Sequence, residues 1–135
     1  MVVCGVGVDL VEVRRVERAL ARWGDAFARR VFTAAELERA RAPRARSMRL
    51  AARFAAKEAV MKALGLGWRT MGWREIEILH DPLGKPVVAL HGHARAAADR
   101  QGVAHVLVSL AHTRHLALAS AVALAPPTPA TPATR

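Results

Sequence analysis

The chain has 135 residues, a length that suits one domain able to bury a core of its own. Hydrophobic residues make up 53% of it, which excludes global disorder, and no run approaches the roughly 18 apolar residues of a membrane span. Lys and Arg number 21 against 11 Asp and Glu, a net charge of +10 that attracts anions: nucleic acid, an acidic membrane, an acidic protein or a polyphosphate ligand.

Arginine supplies 18 of the 21 cations, and its planar fork suits phosphate and carboxylate. A compositional bias accounts for part of this excess, since Ala and Arg abound while Tyr and Asn are absent. The first residues, Met1-Val2-Val3-Cys4-Gly5, lack a basic stretch and Asp9 follows early, so no signal peptide is expected. The single cysteine, Cys4, has no internal partner, and a cytoplasmic location is expected.

Val2 to Leu10 is β-branched and apolar around Gly5 and Gly7, and predicts a buried strand with close backbone approach. Glu12 to Trp23 carries Val13, Val16, Leu20 and Trp23 at helical spacing. Thr33-Ala34-Ala35-Glu36 is a capping-box sequence opening a helix to about Ala40, and Arg41 to Arg46, with Pro43, reads as a basic loop. Met48 to Leu64 predicts a long Ala-rich helix ended by Gly65. Glu75 to His80 and Lys85 to Leu90 predict a hairpin across Asp81-Pro82-Leu83-Gly84. Ala94 to Arg100 reads as a short helix, and Val103 to Ser109 with Leu116 to Leu124 as a final hairpin. One strand, helices, two strands, a helix and two strands argue for an α+β domain over residues 1–124. Residues 125–135, with four prolines, form a Pro/Ala/Thr-rich tail outside it.

Four segments carry candidate chemistry. Gly5-Val6-Gly7-Val8-Asp9 lacks the third glycine of a dinucleotide fingerprint; on its own it reads as a tightly packed strand with Asp9 capping the next helix. In Arg53-Phe54-Ala55-Ala56-Lys57-Glu58-Ala59-Val60-Met61-Lys62-Ala63-Leu64-Gly65, Glu58 and Lys62 share a helix face. They are either an ordinary surface pair or a cation ligand and a phosphate contact, with Asp9 a second ligand if the fold brings it close. His112, after Ser109-Leu110-Ala111, is a candidate phosphate contact or base, while the other five histidines match no strong zinc spacing. Arg14, Arg18 and Arg22 recur every four residues, and eleven arginines fall between Arg14 and Arg49 against four acids. They form either a solvated face or a docking surface for an acidic partner; missing motifs and sparse aromatics argue against nucleic acid.

Together these segments resemble the holo-acyl-carrier-protein synthase family, the small bacterial class of 4′-phosphopantetheinyl transferases. The resemblance rests on Gly5 to Leu10 followed by Arg15-Val16, on Arg53 to Gly65, on Ile76-Glu77-Ile78 through Lys85-Pro86, and on Val106 to His112. It covers about residues 2–124. It implies the 4′-phosphopantetheinyl transferase fold, an antiparallel-rich sheet on a long central helix. It also implies Mg²⁺-dependent transfer of 4′-phosphopantetheine from coenzyme A to a serine of apo acyl carrier protein, leaving adenosine 3′,5′-bisphosphate.

By resemblance, Asp9 and Glu58 hold Mg²⁺, Glu58 acts as base, and Lys62 stabilises the leaving phosphate. Arg53, Lys62, Gly65, Lys85, Pro86, His112 and Thr113 are the expected coenzyme A contacts. Arg14, Arg15, Arg18 and Arg22 are expected to dock the acidic carrier. A homotrimer with active sites between subunits is expected, with neither a nucleic acid nor a membrane as partner. Ala111 replaces the family's usual Ser or Thr, and Leu66 stands where Gly-Thr-Gly is common. The alternative from another class is a noncatalytic basic module binding an acidic protein or nucleic acid.

Overall fold

The computed structural model describes residues 1–67 and 71–129. Strand β1 (Val2–Glu12) leads into helices α1 (Val13–Trp23), α2 (Asp25–Val31) and α3 (Ala34–Arg39), then the long helix α4 (Arg46–Leu64). A 3₁₀ turn at Trp73–Glu75 precedes the hairpin β2 (Ile76–His80) and β3 (Pro86–Leu90). Helix α5 (Gly92–Arg100) and the hairpin β4 (His105–His112) and β5 (Leu116–Ala125) complete the order. The α+β reading holds, with two refinements. The strands form two antiparallel sheets, β1-β5-β4 and β2-β3. A separate helix, α2, follows Gly24, whose positive φ of 54° turns the chain. Residues 126–129 are neither helix nor strand; the tail expected from 125 otherwise lies outside the described residues, apart from Ala125 at the end of β5.

Helix α4 is the centre of the molecule. Its stretch from Leu50 to Leu64 is buried except at Glu58, which is partly covered, and Lys62, which is exposed, and its charged residues Arg53 and Lys57 are buried with the apolar ones. It lies against β1 and β5, and small residues on both sides bring them together. Strand β5 turns Ala117, Ala119, Ala121 and Ala123 inward, while α4 offers Ala59 and Ala63 to β1. A Cβ at Gly5 would overlap the Ala63 carbonyl, and one at Gly7 the Ala59 carbonyl. The two glycines therefore set how closely the strand meets the helix. The end of α4 is closed by Gly65 in the left-handed region (φ 65°), by Leu66 N donating to Met61 O, and by Gln101 Nε2 donating to Leu64 O at 2.7 Å.

The expectation of a buried first strand is corrected. Only its inward positions Gly5, Gly7, Asp9 and Val11 are covered, whereas Val6 is 67% and Leu10 61% exposed. Successive side chains on a strand point to opposite faces, and α4 covers one. Leu118 on β5, opposite Leu10, and Leu107 on β4 extend the exposed apolar face across the sheet.

Candidate active site

The inward period of β1 that places Gly5 and Gly7 under α4 delivers Asp9 to the same helix one step further on. Lys62 Nζ donates to Val8 O at 2.9 Å and to Asp9 Oδ1 at 3.3 Å. The remaining carboxylate oxygen, Asp9 Oδ2, is buried and has no hydrogen-bond partner among the described residues. Glu58 stands one turn before Lys62. Burial pushes its pKa up, and the negative charge of Asp9 pushes it further, against the opposing pull of Lys62 and Arg15. Asp9 does not cap α1; the capping position is Glu12, which makes no side-chain cap. The fold thus brings together Asp9, Glu58 and Lys62, with more negative charge than the single lysine satisfies.

A second polar cluster lies deeper. Lys57 is wholly buried among apolar neighbours, and its ammonium uses all three protons: to Glu36 Oε1 at 2.7 Å, Ile76 O at 2.6 Å and Trp73 O at 3.1 Å. Burial lowers the Lys57 pKa and the Glu36 carboxylate opposes that shift. Glu36 also closes the capping box, accepting from Thr33 N at 2.9 Å, and accepts from Ile78 N at 3.2 Å. One ion pair therefore ties α3, α4 and β2 together. Sequence reading found the capping box but missed this pair. Its signal was there, because Lys57 falls on the helical face of Phe54, Met61 and Leu64.

Two cavities flank α4. The first, of about 540 Å³, lies between α1, α2 and α4, with Ala19, Trp23, Phe27, Phe54 and Trp73 in its wall and Arg15 beside it. Phe54 and Trp73 stack at 4.8 Å, and the Arg15 guanidinium sits 5.6 Å from the Phe54 ring centre. Arg22 lies over the exposed Trp23 ring at 4.9 Å. Arg14, Arg15, Arg18 and Arg22 all lie on α1, and none is in an ion pair among the described residues.

The second cavity, of about 510 Å³, is basic: Arg39, Arg49, Arg53, His80 and His112 line it, and no acidic residue does. Arg53 is 4% exposed, donates to Arg49 O at 3.1 Å, and leaves a buried Nε without a partner. Burial lowers its pKa, with the charges of Arg39 and Arg49 adding to the effect and Glu36 opposing it. Arg53 and His112, two expected coenzyme A contacts, meet here; Arg39, Arg49 and His80 were missed. The i,i+4 spacing of Arg49 and Arg53 was the available signal.

The other expected contacts lie elsewhere in the chain. Lys85 and Pro86 line a groove between β3 and β4, Gly65 closes α4, and the Thr113 hydroxyl oxygen accepts from His115 N and Leu116 N within the β4–β5 turn.

A profile of the 4′-phosphopantetheinyl transferase superfamily matches residues 5–120. The chain is 48% identical over 124 residues to the holo-(acyl-carrier-protein) synthase of Desulforudis audaxviator, covering 92% of this chain and 95% of that protein. Among solved structures, the holo-(acyl-carrier-protein) synthase of Neisseria meningitidis superposes with a TM-score of 0.81 at 37% identity, covering 91% of this chain and 99% of that one. The Helicobacter pylori synthase, solved in complex with coenzyme A, gives 0.79 at 26% identity over 88% of this chain and 99% of that one. No helix among the described residues is long and apolar enough to cross a membrane.

Proposed function

The chain belongs to the 4′-phosphopantetheinyl transferase superfamily, and from that premise we infer how its residues act. It is a holo-acyl-carrier-protein synthase: it transfers 4′-phosphopantetheine from coenzyme A to a serine of apo acyl carrier protein and releases adenosine 3′,5′-bisphosphate. The convergence of Asp9, Glu58 and Lys62 carries the account of the chemistry.

Asp9 and Glu58 fit a hard divalent cation. Both are carboxylates, Asp9 Oδ2 is buried without a partner, and Mg²⁺ typically takes one or two carboxylates together with substrate phosphates. Asp9 and Glu58 would hold Mg²⁺, which when bound would neutralise charge on the coenzyme A pyrophosphate. Glu58, raised in pKa by burial and by Asp9, is suited to draw the proton from the carrier serine, directly or through a water. Lys62, half in solvent and bonded to Val8 O, carries its ammonium to the leaving phosphate oxygen. Val8 O and Asp9 hold that ammonium before substrate arrives.

Arg53 and His112, with Arg39, Arg49 and His80, are assigned to the 3′-phosphate of the donor. The unpartnered Nε of the buried Arg53 supports that assignment. Arg14, Arg15, Arg18 and Arg22 receive the acidic carrier, and the aromatic cavity beside Arg15 offers it an apolar anchor. The exposed apolar sheet face of Val6, Val8, Leu10, Leu107 and Leu118 supports self-assembly into a homotrimer with sites between subunits. A cytoplasmic location agrees with the single cysteine.

Intact-mass spectrometry of apo carrier protein incubated with the enzyme, coenzyme A and Mg²⁺ tests the account. A gain of about 340 Da, lost with chelator, is expected for metal-assisted transfer of one phosphopantetheine. No gain with several acidic carriers would contradict it.

A further inference from the structure

His80 is the least expected member of the basic cavity. It ends β2, immediately before the turn that Asp81 organises by accepting from Leu83 N and Lys85 N. Helix α3 brings Arg39 to the cavity, α4 brings Arg49 and Arg53, and β4 brings His112. Asp81, the residue after it, supplies the opposing negative charge. Burial lowers the His80 pKa, and the charges of Arg53 and Arg39 lower it further, while Asp81 raises it. The cavity thus gathers three guanidinium groups and the His80 imidazole, whose protonation the neighbouring positive charges disfavour.

A phosphate monoester reverses each of these influences. Its dianion offsets the charges of Arg39, Arg49 and Arg53, and it offers oxygens to a protonated ring. We propose that His80 takes up a proton from solvent when the donor's phosphate monoester enters this cavity, becoming a further cationic contact that exists only in the bound state. The inference rests on assigning the cavity to the donor 3′-phosphate. His80 thereby makes donor affinity pH-linked: protonation favours the bound form, so binding weakens as pH rises from the free towards the bound pKa of the ring. The cavity gains charge when a dianion is present and avoids a fourth uncompensated cation when it is not.

Calorimetric titration with adenosine 3′,5′-bisphosphate, repeated in buffers of different ionisation enthalpy, counts the protons exchanged. Comparison with a variant removes the titration of the phosphate itself. Near neutral pH the wild-type protein is expected to take up roughly half a proton or more beyond His80→Gln. Between about pH 6.5 and 8 the wild-type affinity should fall several-fold more than that of His80→Gln. Equal proton counts in wild type and His80→Gln, with both binding, would overturn the proposal and leave the phosphate cavity standing. Failure of the wild-type protein to bind the bisphosphate would remove the cavity assignment and the proposal with it. Should His80→Gln fold poorly, the His80 ring resonances of the wild-type protein, followed by NMR against pH, must show a higher pKa with ligand than without. An unchanged or lower value would equally overturn it.

Discussion

Two lysines five residues apart on α4 have opposite surroundings. Lys57 is fully enclosed, with each ammonium proton matched to an acceptor, whereas the Lys62 side chain is 54% exposed and shares one oxygen of a carboxylate whose other oxygen is orphaned. The first environment is complete, and nothing remains for a ligand to satisfy. The second has negative charge in excess and a lysine near solvent, the arrangement on which the proposed metal and phosphate roles rest. The difference separates framework from chemistry on a single helix.

Substitutions should sharpen the contrast, beginning with the largest effect. Glu58→Gln is expected to reduce transfer by about 10³-fold, in the range of lost acid–base and metal-site function, measured as kcat by carrier mass shift. The folded state should not weaken at neutral pH. A carboxyl whose pKa is raised on folding contributes stability only below its unfolded pKa, and that contribution is lost as pH rises through the folded value. Thermal melting at neutral pH checks this, and marked destabilisation would merge the two regions into one.

Glu36→Ala, which strands a buried ammonium, is expected to cost about 3–5 kcal/mol in denaturant unfolding. The double variant Glu36→Leu, Lys57→Met should recover most of that loss, because an apolar pair of similar volume needs no partner. Gly7→Ala is expected to cost at least about 1–3 kcal/mol, since its methyl group meets the Ala59 carbonyl and β1 must shift, taking Asp9 with it. Transfer should therefore fall more than unfolding alone explains. The smallest effect belongs to Arg15→Glu: KM for the carrier should rise roughly tenfold at low salt and less at high salt, with KM for coenzyme A nearly unchanged.

Residues carried by a single contiguous motif were more legible in the sequence than residues gathered from several elements. The β1 and α4 motifs, whose residue types and order resemble the family's, pointed to Asp9, Glu58 and Lys62, which the fold brings together. That Gly5 and Gly7 are the reason Asp9 reaches α4 required the packing of strand on helix. The helical period places Lys57 on the apolar face of α4, but its partner Glu36 lies 21 positions away on another element, so no local period names the pair. Arg39, Arg49 and His80 come from three separate elements, and only the tertiary fold gathers them with Arg53. The exposed side of β1 was misread because β-branched residues look alike whether a neighbouring layer covers them or leaves them bare. The noncatalytic alternative finds no support among the relatives named above, each of which is a holo-(acyl-carrier-protein) synthase.

One lysine of α4 holds the frame and, in the proposed mechanism, the other does the chemistry. The most direct measurement makes the same change at both, Lys57→Met and Lys62→Met, and records unfolding and carrier modification side by side. Lys62→Met is expected to unfold within about 1 kcal/mol of the wild-type protein, as for an exposed pair, yet to modify no carrier at a measurable rate. Lys57→Met is expected to lose several kcal/mol of stability, because Glu36 is left buried and unpaired. Near-wild-type transfer by Lys62→Met, or equal destabilisation by the two substitutions, would contradict the account.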